Sequence, residues 1–323
     1  MNLAPYIQAM GRGPARARHL TREEAREAMR LILCGAAAPE AVGAFLMLMR
    51  YRGETAEEVA GMVEALRDGL PAWEGPRPVL DWPSYAAGRS RGLPWFLLSA
   101  RLVAGAGVPV LLHGWNAFQS PVASVRAALP ALGIGEARDL AEAGQIIARD
   151  GIAYLPLEAI APEALRILRL REVLGLRSPV NTALRLLNPG GAPASVQGVF
   201  HPPYRELQAD AAALLAQPSL TVLKGGGGEF ERHPAKSVAL FGLRNGAPWE
   251  ETASALIEET RRLADAEADP ADLAALWQGE TEHPFARAIV LGTAMLALDA
   301  AGVPDAAELA VSLWARRHGL QSA

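Results

Sequence analysis

A single cysteine, Cys34, in 323 residues rules out an intrachain disulfide and fits a reducing compartment. It follows "MRLIL" on a helical pattern and reads as a core residue rather than a reactive thiol. Long apolar runs are also missing. Polar and basic residues interrupt the first stretch, "MNLAPYIQAMGRGPARARHL", so neither a secretory signal nor a membrane span is expected, and the cytoplasm is the expected location. Neither sign of charge dominates: 31 Lys and Arg stand against 35 Asp and Glu, a formal net charge of -4. Global attraction to nucleic acid or to an anionic membrane is thereby excluded, and any anion site must be a local basic patch. Gly-x-Ser-x-Gly, HExxH and CxxC patterns are absent. The six histidines are scattered; only His201 and His233 fall in loops near other polar groups, too few for a histidine metal site. The glycine run at 225–228 precedes Glu229 rather than Lys-Ser/Thr, so it is no Walker loop. An apolar run, "SVALFG", comes after it where a dinucleotide fingerprint would open a helix.

What is present is a globular pattern, 50% hydrophobic and 20% charged. "TREE" (21–24) and "TAEE" (55–58) are capping boxes. Ala25, Ala28, Met29 and Ile32 form the stripe of one helix, and Val59, Met62, Val63 and Leu66 that of another. Between them 42–49 is apolar all round, which predicts a buried helix. After the Pro-rich "LPAWEGPRPVLDWP", strand-length runs alternate with helical stretches: "PVLDW", "VPVLLHG", "GIAYLPL", "SVQGVF" and "LTVLKG" are the strands. The tail from Trp249 reads as mostly helical, broken at Pro270. The expected fold is α/β: a helical N-terminal bundle over 1–72, then a larger α/β domain over 73–323 with a mainly parallel sheet.

Positive charge is concentrated locally. Arg166, Arg169, Arg171, Arg177 and Arg185 face only Glu163 and Glu172 between 161 and 190. Arg89 and Arg91 lie in a second loop, and Lys224, Arg232 and Lys236 in a third. If these loops converge they make an anion site at the carboxyl edge of the sheet. Arg166 and Arg169 read as the solvated face of a helix; Arg171 and Arg177 fit either reading.

The order of these pieces resembles glycosyl transferase family 3, the group that includes anthranilate phosphoribosyltransferase and whose fold also hosts nucleoside phosphorylases. The likeness is carried by "LTREEAREAMRLILCGAAAPEAVGAFLMLMRYRGETAEEVAGMVEAL", "GVPVLLHG", "REVLGLRSPVNTALRLLNPGGA" and "QGVFHPPY". The resemblance implies a donor site for phosphoribosyl pyrophosphate and Mg2+, and this chain departs from it. Where the family has Gly-Thr-Gly-Gly-Asp around the pyrophosphate, Ser84, Tyr85, Ala86, Ala87 and Gly88 stand. Asn-x-Ser-Thr becomes Pro94, Trp95, Phe96 and Leu97; Lys-His-Gly-Asn becomes Leu112, His113, Gly114 and Trp115, with Asn116 as a replacement amide. Of the Asp-Glu pair that holds magnesium, Phe230 replaces the first and Glu231 keeps the second, which leaves Glu229 and Glu231 as metal candidates. On the acceptor side, Arg171 matches the arginine that faces the acceptor carboxylate. Asn181, Asn188 and Pro189 match the family's next segment, while its Gly-Pro becomes Leu184-Arg185.

Two functions are implied by the resemblance. One is that of a branch with a degenerate donor site that binds nucleic acid or another phosphate-rich ligand, with single-stranded nucleic acid as a candidate partner. Its groove would be lined by Arg89, Arg91, Arg171, Arg177, Arg185 and Lys224, with Tyr85, Trp95 and Trp115 for base stacking, although "PWFLL" favours Trp95 as core. The other is an active pentosyltransferase with an altered donor or acceptor, using phosphoribosyl pyrophosphate and Mg2+. A homodimer through the N-terminal helices is implied in either case.

Overall fold

The computed structural model describes residues 2–13, 15–85, 92–115, 121–258 and 269–319. Four helices open the chain: α1 (Ala4–Gly11), α2 (Arg22–Leu33), α3 (Pro39–Arg52) and α4 (Ala56–Asp68). Both capping boxes form, with Thr21 and Glu24 closing the start of α2 and Thr55 and Glu58 that of α4. The two stripes meet as α2 packs along α4. Cys34 is not in the core. The helix ends one residue earlier, and Cys34 lies exposed at its C-cap. Nor is α3 buried all round: Val42, Phe45, Leu46 and Met49 are inside, Met47 and Leu48 are half-exposed, and Tyr51 is exposed.

The remainder runs β1 (Leu80–Ser84), α5 (Phe96–Gly105), β2 (Val110–Gly114), α6 (Val125–Ala128), β3 (Gly135–Glu136), α7 (Leu140–Asp150) and β4 (Ile152–Pro156). Then come α8 (Leu157–Ile160), α9 (Pro162–Arg169), α10 (Arg171–Leu174), α11 (Val180–Leu184), β5 (Ala194–Val199), α12 (Tyr204–Leu214) and β6 (Ser219–Lys224). β7 (Val238–Arg244), β8 (Ala247–Ala253), α13 (Ala271–Gln278), α14 (Pro284–Ala300) and α15 (Ala306–Ala315) complete it. The strands form one sheet in the order β3-β4-β2-β1-β5-β6-β7-β8, parallel as far as β6 and antiparallel beyond. α7, α9, α11, α12 and the N-terminal helices cover one face; α5, α13, α14 and α15 cover the other. Arg67 of α4 ties the N-terminal helices to the segment after α11 by donating to the carbonyls of Leu186 and Leu187.

Three local readings change. Trp249 is in a strand, not a helix: Asn245 (φ 52°) and Gly246 (φ 76°) make a two-residue hairpin that folds β8 onto β7. The helical pattern of "SPVASVRAALPALG" (120–133) gives only the short α6, because Pro130 starts a new 3-10 turn. The stretch from 162 divides at Leu170 into α9 and α10. No helix among the described residues is long and apolar enough to cross a membrane.

Candidate functional site

The carboxyl ends of β1, β2, β5 and β6 gather the residues singled out from the sequence. Alternation along β1 sends Leu80 and Trp82 into the core beneath α5 and α14, so Asp81 points the opposite way. His113 of β2 shares that side. The result is a buried polar chain: the Ser195 hydroxyl donates to Asp81 Oδ2 at 2.9 Å, Asp81 Oδ1 lies 3.1 Å from His113 Nε2, and His113 Nδ1 lies 3.0 Å from the Tyr85 hydroxyl. The Asp81–His113 approach has ion-pair distance without hydrogen-bond alignment. All four side chains are at most 2% exposed. Burial, and after it the neighbouring Tyr154 and Asp81, push the Tyr85 phenol well above its ordinary range. Tyr85 and His113 are therefore interior groups, not surfaces for a base or a phosphate. Gly114 is there for space: a Cβ on it would come 1.8 Å from the Ser84 carbonyl oxygen.

Arg185 is likewise turned inward, although it also borders a polar notch. It is 5% exposed, and its guanidinium donates to Gly198 O (3.1 Å), Tyr85 O (3.0 Å), Asn181 O (2.8 Å) and Asn181 Oδ1 (2.7 Å). It staples the ends of β1 and β5 to α11. Burial lowers its pKa, and the charge of Glu229 offsets part of that effect. Trp95 is 7% exposed and belongs to the core, and Trp115 is half-buried against the other core. Neither is an open stacking platform.

The glycine run answers to backbone geometry. Gly227 (φ 66°) and Gly228 (φ 90°) are left-handed, and a Cβ on Gly225 would sit 1.7 Å from the Glu229 carbonyl oxygen. The tight turn carries Glu229, Phe230 and Glu231 inward, all at 0% exposure. Phe230 meets Trp82 edge-on at 5.5 Å, and Trp82 stacks on Phe96 at 6.1 Å. Glu231 Oε2 accepts the Phe96 backbone N–H at 3.1 Å, at the start of α5. That helix terminus is an anion site by virtue of its free N–H groups, and here the chain's own carboxylate fills it. The residues present do not fit Mg2+. That ion keeps several of its waters, whereas both carboxylates are sealed from solvent and one is engaged by a backbone N–H. Among the described residues no group of three or more His, Cys, Asp or Glu is placed to hold a metal.

An open polar notch remains between α3, α11 and the segment after β5. It has a volume of about 60 Å³, lined by Arg50, Glu54, Arg177, Asn181, His201 and Tyr204 among others. The Arg50 guanidinium donates to the Tyr204 hydroxyl at 2.5 Å, and Glu54 accepts from Thr182 Oγ1 at 3.0 Å. Burial, and then Glu54, push the Tyr204 phenol up to about 12. Arg177 differs from its neighbours. Burial, followed by the charges of Arg171, Arg185 and Arg50, lowers its pKa to about 10. Lys224 is exposed and pairs across the sheet with Val199, another wall of the notch; Phe200, 45% exposed, comes next after Val199. Arg166 and Arg169 are solvated and paired with Glu163 and Glu172.

Of the sequence candidates, the structure thus brings Arg171, Arg177, Asn181 and Lys224 to one edge. It buries Tyr85, His113, Gly114, Arg185, Glu229 and Glu231. Gly88, Arg89, Arg91 and Asn116 lie outside the described residues. Sequence reading missed Asp81 and Arg50. The first left a signal, as a lone charge inside an apolar strand; the second left none, because only folding carries the end of α3 to the sheet.

Residues 4–69 match the family model described as glycosyl transferase family, helical bundle domain. The chain is 31% identical over 226 residues to the anthranilate phosphoribosyltransferase of Rhizobium meliloti, covering 70% of this chain and 66% of that one. With the enzyme of that name from Symbiobacterium thermophilum it shares 32% identity over 241 residues, 74% of this chain and 70% of the other. The crystal structure of anthranilate phosphoribosyltransferase from Thermus thermophilus superposes with a TM-score of 0.76 at 26% identity, over 97% of this chain and 98% of that one. The alignments to the first curated relatives stop short of their full length, at 66% for the R. meliloti protein. A shared helical bundle, a shared overall fold and identity sustained over more than two thirds of the chain place it in glycosyl transferase family 3, with the anthranilate phosphoribosyltransferases.

Proposed function

We propose that this chain binds the phosphate backbone of single-stranded nucleic acid, and that its family donor site is degenerate. Arg177 carries the reading: a half-buried cation pressed by the charges of three other arginines is stabilised when an anion arrives. The notch, open to solvent, has room for a phosphate group beside Arg177. Lys224 and Arg171 extend the basic edge, and Phe200 and His201 offer faces to a base. Inside, Tyr85, Phe230 and Glu231, which stand at positions that the family resemblance assigns to the donor, are buried, which supports this reading. The half-exposed side of α3, with Met47, Leu48 and Tyr51, is the face on which we seat a second copy; light scattering on a size-exclusion column checks it.

The test is fluorescence anisotropy of a labelled single-stranded oligonucleotide at two salt concentrations. Each phosphate contact contributes roughly 0.7 to the slope of log K against log salt. Arg177→Gln should weaken binding to every sequence alike and lower the slope by about that amount. Absence of binding at low salt overturns the proposal. The second reading, phosphoribosyl transfer to an aromatic acceptor, rests on the relatives named above. Formation of phosphoribosyl anthranilate from phosphoribosyl pyrophosphate, Mg2+ and anthranilate would establish it and refute the degenerate donor site.

A further inference from the structure

A second cavity lies on the opposite face of the sheet from the Arg177 notch, and the two share no lining residue. Its volume is about 510 Å³, within the roughly 300–1,000 Å³ usual for small-molecule sites. One stripe of α14 floors it: Pro284, Ala288, Leu291 and Met295 recur at helical spacing and share a face. The opposite face of α14, with Phe285, Ile289 and Val290, is in the core. Leu256, Leu276 and Trp314 complete apolar walls.

Charge at the mouth is not balanced. Among the described residues, Arg287 and Arg317 line it against one acid, Glu282. The two arginines repel: after burial, the charge of Arg287 lowers the pKa of Arg317. Arg317 is also held in place. Its Nη1 donates to Trp314 O (3.0 Å), its Nη2 to Leu276 O (3.2 Å), and its guanidinium lies 4.3 Å over the Trp314 ring. A fixed cation beside a second cation and above an apolar floor is complementary to an anionic headgroup.

We infer that this cavity binds an organic anion made of an apolar body and one carboxylate, the body resting on Leu291, Met295 and Trp314 and the carboxylate between Arg287 and Arg317. A bare inorganic anion leaves the apolar floor in water. A neutral hydrocarbon leaves the two arginines uncompensated. The inference does not depend on what binds at the notch.

The experiment is isothermal titration calorimetry of the full chain with 2-naphthoate and with its neutral carboxamide. Saturable binding of the acid at one site is expected, with the amide at least tenfold weaker. Leu291→Trp, which fills the floor, should abolish binding, and Arg317→Met should weaken it at least tenfold. Arg287 is exposed, so Arg287→Gln leaves the fold intact and should weaken the acid severalfold without touching the amide. No saturable heat with 2-naphthoate overturns the inference. So does equal affinity for acid and amide, unchanged binding in Leu291→Trp, or displacement of the acid by an oligonucleotide, which would place it at the notch.

Discussion

Replacing Arg185 tests whether this residue is a ligand contact or a staple. In Arg185→Ala three carbonyl oxygens, those of Gly198, Tyr85 and Asn181, lose their donor, and a buried side chain leaves a void. An orphaned buried acceptor costs about 1–3 kcal/mol. Three of them, partly relieved by water entering the void, cost roughly 4 kcal/mol, in the range seen when buried charged networks are broken. For a chain of this size that is a fall in Tm of about 8 °C at roughly 2 °C per kcal/mol. Arg185→Lys keeps the charge, but one ammonium cannot serve β1, β5 and α11 together, so it should recover less than half of the loss. The assay is urea unfolding followed by far-UV circular dichroism, run beside the oligonucleotide titration. If Arg185 instead meets a ligand, the result inverts: Arg185→Ala unfolds at the wild-type urea concentration and binds the oligonucleotide at least tenfold more weakly. That outcome would refute the burial argument.

The other expectations concern neighbouring groups. Tyr85→Phe removes the hydroxyl 3.0 Å from His113 Nδ1 and should cost about 1 kcal/mol in urea unfolding, with no change in oligonucleotide affinity. Gly114→Ala drives a methyl into the Ser84 carbonyl and should cost about 3 kcal/mol or yield little folded protein, read from expression and melting. Phe230→Asp restores the family residue but buries a charge against Trp82; it should lose about 3–5 kcal/mol and gain no Mg2+ binding by calorimetry. The Glu24 carboxyl, hydrogen-bonded by the Arg18 guanidinium, is lowered from 4.5 to about 2. A depressed carboxyl pKa gives stability that is complete above about 4.5 and lost as pH falls through 2. Arg18→Gln should therefore move the Glu24 titration, followed by NMR, toward its ordinary value and raise the pH of acid unfolding.

What is legible in the sequence is local or periodic. Thr21 and Thr55 announce their helices because a capping box is complete within four residues, and the strands β1, β2, β4, β5 and β6 show as apolar runs. β8 has a signal too, in the Asn-Gly that turns its hairpin, but its exposed, charge-rich strand lacks the apolar run that marks the others, so the tail reads as helix. The fate of Arg185, Glu231 and Tyr85 is not legible. Each is a polar residue in a segment whose matched positions hold ligand contacts, and only the three-dimensional register shows that their partners are Gly198, Phe96 and His113. Charge is a property of composition; the direction in which it points is not. That is why Arg185 and Arg177, eight positions apart, look alike by sequence, whereas in the fold both border the notch and Arg185 turns its guanidinium into the interior.

These inward-pointing residues also depend on one another. Phe230 has a place because Trp82 offers an edge, Trp82 is held flat by Phe96, and the backbone N–H of Phe96 is satisfied by Glu231, which the glycine turn delivers from the other side of Phe230. Arg185 then closes the space between Tyr85 and Gly198. Restoring one family residue leaves the rest in place, so a single reversion such as Phe230→Asp breaks this packing. The arginines outside this cluster, Arg50 and Arg177, carry none of its packing and keep their donors near solvent. Arg185 borders the notch as well, but its guanidinium serves the interior.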